Sequence, residues 1–177
     1  MYLLHTSIQS NNLVLLNTLN LHLVGRYQFT APASQIWSIL MDPDTLANIT
    51  PGITRLERQD EENFTSFADV KIGPVRGTFQ GEVHLRDTVE PKSFSLKVQQ
   101  NSKIGNVAAD VQIQLEEISD GETLISFEGE AILSGLMART GQRVLSGVTR
   151  TLTAQFFKAL EEEIINQNKS KISKKSI

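Results

Sequence analysis

Between Ile53 and Ser134 the chain repeats one pattern: apolar and polar residues alternate for the length of a strand, then a turn signal intervenes. The stretch "VRGTFQGEVHLR" is the clearest case. Val75, Gly77, Phe79, Gly81, Val83 and Leu85 fall on one face, and Arg76, Thr78, Gln80, Glu82, His84 and Arg86 on the other. A period of two predicts strands with one wet and one covered face. "ITRLERQ" and "NFTSFADVKI" precede it; "SFSLKVQQ", "NVAADVQIQLEEI" and "TLISFEGEAIL" follow. Gly73-Pro74, Glu90-Pro91-Lys92 and Ser119-Asp120-Gly121 supply turns between them, which predicts an antiparallel meander.

A sheet with one apolar face needs a cover, and the flanks of this segment provide it. Upstream, "LHLVGRYQFT" alternates as a further strand. "APASQIWSILMD" then places Ile36, Trp37, Ile39 and Leu40 at helical spacing behind Pro32, and "DTLANI" predicts a second short helix behind Asp42-Pro43. Downstream, residues 136–164 carry Leu136, Val144, Val148, Leu152, Phe156 and Leu160 along one stripe with no proline, predicting one long amphipathic helix. The expected fold class is α+β: a curved antiparallel sheet wrapped around a long C-terminal helix, with two short helices after the first strand.

The chain of 177 residues is expected to divide into an extension at 1–20, a single domain at 21–165 and a basic flexible tail at 166–177. The first twenty residues carry no charge, and the last nine carry four lysines and no acid. All 20 acidic side chains therefore lie in the body, which is net acidic and unsuited to nucleic acid. The N-terminal stretch lacks the basic start of a secretory signal and is interrupted by Asn12, Asn17 and Asn20. The tail lysines add weak attraction to an anionic membrane surface, roughly 1 kcal/mol per charge held there. Cysteine is absent, which excludes disulfides and thiolate chemistry and fits a cytoplasmic location, with peripheral membrane contact as its only variant.

Catalytic constellations are hard to assemble. The histidines are His5, His22 and His84, without metal-ligand spacing, so no metal and no cofactor is expected. The carboxylate clusters Glu61-Glu62, Glu116-Glu117 and Glu161-Glu162-Glu163 fall at turns, strand ends or a wet helix face, whereas general acid–base work needs burial. No catalytic residue is assigned. Arg139, Arg143 and Arg150 read first as helix surface, although Arg139 and Arg143 could flank a cavity mouth and hold a polar head group.

The inward glycines pose the main question. Gly77, Gly81 and Gly129, with Gly25 and Ala109 beside them, strip side chains from the concave face. They serve either sharp curvature or an apolar void. Phe29, Phe79, Val83, Val111, Ile113, Phe127, Val144, Val148, Leu152 and Phe156 would line such a void as a ligand site.

Four segments resemble the carbon monoxide dehydrogenase G-subunit (CoxG) family of the START/SRPBCC helix-grip superfamily: "APASQIWSILMDPDTLANITPG", "VKIGPVRGTFQGEV", "GETLISFEGEAILSG" and "MARTGQRVLSG". Trp37, Leu40, Asp42 and Pro43 match its helix-and-turn motif, Gly73, Pro74, Gly77 and Gly81 its hairpin motif, and Gly141 and Arg143 the start of its last helix. The resemblance implies the helix-grip fold and a deep apolar cavity between helix and sheet. It also implies a non-enzymatic carrier or maturation role for a lipid- or quinone-like molecule beside a molybdenum hydroxylase of the carbon monoxide dehydrogenase type. The alternatives are an enzyme of the polyketide cyclase or dehydratase type, and a protein–protein adaptor with a vestigial cavity.

Overall fold

The computed structural model describes residues 18–175; the expectation for the N-terminal extension falls, up to residue 17, outside them. Alternation has produced seven strands: β1 (Thr18–Phe29), β2 (Ile53–Arg58), β3 (Asn63–Ile72), β4 (Val75–Val89), β5 (Ser93–Ser102), β6 (Gly105–Ser119) and β7 (Glu122–Ser134). They form one antiparallel sheet in the order β1-β7-β6-β5-β4-β3-β2. Consecutive strands are neighbours except the first, which pairs with the last, Gly25 standing opposite Phe127. β1 and β2 are thus the two edges, and the chain crosses from one to the other through α1 (Ala33–Met41) and α2 (Pro43–Ile49).

Local chemistry fixes these helices. Pro32, the residue before α1, offers no capping side chain, and the Glu117 carboxylate of β6 accepts a hydrogen bond from the Ala33 N–H instead, at 2.9 Å. Asp42 caps α2 by accepting from the Thr45 N–H at 2.9 Å, with Pro43 at the first helical position. The same bonds, chiefly that from the Thr45 hydroxyl, hold the Asp42 carboxyl below its ordinary pKa.

The C-terminal cover departs from expectation in three ways. It is two helices, α3 (Leu136–Arg139) and α4 (Gln142–Lys175), because Gly141 adopts φ +92°, which ends helical geometry. It runs beyond Ile165, where rising polarity predicts a flexible tail; Gln167 there bonds Glu163, and Asn168 accepts from Gln35 of α1. Its buried stripe is Leu145, Val148, Phe157, Leu160 and Ile164, whereas Leu136 and Val144 are exposed. Residues spaced strictly by four advance about 40° around a 3.6-residue helix at each step. Over the four steps from Leu160 back to Val144 that drift turns the side chain to the opposite side. At the other end, β1 starts before residue 21, since Thr18 and Leu19 pair with Ser134 and Leu133.

Two clusters make the core. One joins α1, the second half of α4 and the adjoining sheet: Ile36, Trp37, Ile39, Phe29, Phe94, Ile125, Phe157, Leu160 and Ile164. Trp37 meets Phe94 edge-on at 5.6 Å, and Tyr27 stacks on Phe157 at 3.8 Å. The other joins the first half of α4 to the opposite end of the sheet: Leu21, Phe79, Leu133, Met137, Leu145 and Val148.

The glycines resolve toward curvature. A Cβ on Gly81 would lie 1.8 Å from the Gln99 carbonyl oxygen, and one on Gly129 2.1 Å from that of Asp110. The backbone of the neighbouring strand has moved into the space a side chain would take, as sharp coiling of a sheet requires. The space over Gly25 holds the Phe127 ring, and that over Gly77 holds Ile104. These glycines create the concavity by bending the sheet rather than by leaving holes in it.

Candidate functional site

The concave face between sheet and α4 is closed at both ends and thinner in the middle. Val83, Val98 and Val111 point inward on β4, β5 and β6, with Val83 opposite Val98 and Val111 opposite Leu96. All three are only half-buried, and none belongs to either core cluster. Inward valines that keep solvent contact mark a stretch where the helix does not seal the sheet.

The sequence-predicted lining residues are distributed around this stretch. Phe29 is buried in the first cluster, with Ile113, Phe127 and Phe156 half-buried against it. Phe79 and Val148 are buried in the second, with Leu152 against it. Val83 and Val111 lie between. Val144, 41% exposed, is the correction: it does not face the interior, for the helical drift given above. Arg139 borders a hollow of about 330 Å3 beside the β5–β6 turn, together with Lys103 and the exposed Leu136. Arg143 is exposed and lines neither this hollow nor the cleft described next.

That cleft, of about 350 Å3, opens between edge strand β1 and the first half of α4. Its apolar floor is Leu21, Leu23, Tyr27 and Phe127. Its wall on α4 is polar: Gln142, Ser146, Thr149, Arg150 and Thr153, spaced so that they share one helix face. His22 stands at the strand side, its Nδ1 2.8 Å from Glu130 Oε1 and its Nε2 3.7 Å from Glu128. Sequence reasoning found only Phe127 of this lining. Its polar members look like ordinary helix surface until β1 is placed across from them.

A second inward polar feature also escaped. Ser66 and Gln100 both lie opposite Gly81, on β3 and β5, and Gln100 Nε2 donates to Ser66 Oγ at 2.5 Å. Gln100 Oε1 is buried and has no partner among the described residues. An orphaned acceptor of this kind costs about 1–3 kcal/mol unless something donates to it. Among the described residues no group of His, Asp and Glu could hold a metal ion, and no helix is long and apolar enough to cross a membrane.

Against known proteins, the model of the carbon monoxide dehydrogenase G-subunit (CoxG) family matches residues 25–165. A conserved protein from Geobacillus kaustophilus is similar at 30% identity and TM-score 0.80, over 84% of this chain and 96% of that one. An aromatase/cyclase, Zhui, from Streptomyces sp. R1128 superposes with TM-score 0.65 at 13% identity, over 82% of this chain and 93% of its own. A START superfamily protein from Mycobacterium smegmatis does so with TM-score 0.62 at 14% identity, over 82% and 98%. The last two likenesses speak for the fold alone. No curated protein matches the sequence.

Proposed function

Because the chain belongs to the carbon monoxide dehydrogenase G-subunit (CoxG) family, we propose that it is a non-enzymatic carrier of a hydrophobic small molecule, lipid- or quinone-like, held between sheet and long helix. It would serve a molybdenum hydroxylase of the carbon monoxide dehydrogenase type as an accessory or maturation protein, in the cytoplasm or at the membrane periphery. The observation that carries the reading is the half-buried inward row of Val83, Val98 and Val111 between two sealed clusters. An inward apolar surface that stays in contact with solvent gains from an apolar guest, at about 25 cal/mol per Å2 covered.

Native mass spectrometry of protein purified without detergent, followed by organic extraction, tests this. A stoichiometric apolar compound is the expected result. A clean apo mass, with no uptake of added lipids or quinones, overturns the carrier and leaves the adaptor reading in its place.

One observation favours a second reading, an enzyme of the cyclase or dehydratase type. The His22–Glu130 pair borders the cleft that also holds Tyr27 and Arg150, so a base, a phenol and a cation surround one hollow. Against it, the His22 and Glu130 side chains are 52% and 63% exposed, where solvent competes for the proton. Turnover of a poly-β-keto thioester that His22→Ala abolishes would establish the enzyme; absence of turnover would dismiss it.

A further inference from the structure

We propose that the cleft between β1 and α4 is the polar-head subsite of the carrier, and that Arg150 selects an amphiphile bearing an anionic, oxygen-rich head group. The inference rests on the carrier reading and specifies its ligand.

The argument starts from what the cleft lacks. Among the described residues no carboxylate lines it, and Arg150 is its one permanently charged side chain. The remaining polar groups of its helix wall are hydroxyls and an amide, all able to donate hydrogen bonds. Among the described residues Arg150 makes neither a hydrogen bond nor an ion pair, and Ser146, Thr153 and Gln142 are equally unpartnered; only Thr149 is engaged, with the Leu145 carbonyl. The chain supplies no counter-charge from the same helix either, since α4 contains no Asp or Glu before Glu161. The nearby acids of β7, Glu128 and Glu130, are turned to His22.

The floor supplies the other half of the specification. Leu21, Leu23, Tyr27 and Phe127 form an apolar floor on the inner face of the sheet, so a molecule whose head meets Arg150 lays its apolar part against them. A guanidinium beside hydroxyl donors, with no competing acid, matches a carboxylate or a phosphate monoester, and its planar fork suits either. A neutral ester or alcohol of the same chain offers Arg150 no charge.

The test is a titration of the full chain with palmitate, hexadecyl phosphate and methyl palmitate, each below its aggregation concentration. Arg150 is exposed, so the wild type is expected to prefer the anions over the ester by about threefold, the worth of a solvent-screened ion pair. Arg150→Gln removes the preference and leaves ester affinity unchanged, Arg150→Lys restores part of it, and Arg26→Gln, on the outer face of β1, retains it. Which anion binds more tightly separates a fatty-acid source from a phosphate one. A preference that survives Arg150→Gln, or none in the wild type while the ester binds, overturns the head-group assignment and leaves the carrier standing. Failure of all three to bind the wild type overturns this assignment together with a chain-lipid carrier.

Discussion

From Phe157 onward, α4 turns Phe157, Leu160 and Ile164 into a sealed cluster with α1 and the sheet; from Gln142 to Thr153 it turns serine, threonine and arginine toward an open cleft. The two halves face the same sheet on one continuous helix, so the difference lies in what opposes them. α1 and the aromatic residues of β1 close over the second half, and Tyr27, stacked on Phe157, stands at the border between the two. The first half buries Leu145 and Val148 in the second cluster, but on the side it turns to β1 it meets an edge strand with no further strand beyond it among the described residues. One helix thus anchors the fold along its length and, on one face of its first half, also walls a site.

The sharpest way to break this contrast is to empty the sealed end. Leu160 is fully buried, and Leu160→Ala is expected to cost about 2–5 kcal/mol in urea unfolding. A loss comparable to that of a surface substitution would mean that the end is not sealed. Next comes the sheet that both halves rest on. Gly81→Ala drives a methyl into the Gln99 carbonyl and is expected to cost about 1–3 kcal/mol through forced strand separation, with altered strand circular dichroism. A tolerated alanine would show that the sheet relaxes freely and that the curvature does not depend on this glycine.

Smaller effects sharpen the comparison. Asp42→Ala, at the cap of α2, is expected to cost about 1 kcal/mol. The Thr45 bonds lower the folded-state pKa of Asp42 below 3.8, so its contribution is complete above that value and is lost as pH falls through the folded pKa. The wild-type advantage over Asp42→Ala should therefore shrink only in acid, as thermal melts across pH would record. Smallest and opposite in sign is Gly147→Ala. Nothing lies within 4 Å of the added methyl, so the variant should gain about 0.5–1 kcal/mol of helix stability and leave lipid titrations unchanged. A loss of stability would mean that the side of α4 bearing Gly147 is packed after all.

These two halves were unequally legible in the sequence. The strands could be read because a period of two survives every bend: Val75 to Leu85 keeps its parity through two glycines. Trp37, Ile36 and Ile39 announced the sealed end because large apolar residues at helical spacing have few other uses. The helix stripe was misphased at Val144 because four-residue spacing imitates the true period over two turns and departs from it over five. The cleft was illegible for a different reason. Ser146, Thr149, Arg150 and Thr153 have the composition of a wet surface, and only the pairing of β1 with β7, a long-range contact, puts an apolar floor in front of them. Gln100 was hidden similarly: it continues the inward alternation of Phe94, Leu96 and Val98, and its burial depends on a bend two strands wide.

That same pairing of first strand with last has a consequence in time. A chain leaving the ribosome presents β1 early, yet its partner β7 arrives only after every other strand has been made. The buried Thr123 hydroxyl, which donates to the Ala31 carbonyl at 2.7 Å, ties together points 92 residues apart in the sequence. Strands β2 to β6 can zip up as consecutive hairpins while β1 waits, its amides unpaired, for the far end of the meander to come round. Closing that long loop is the slow entropic step, so the floor of the cleft is the last part of the sheet to be born.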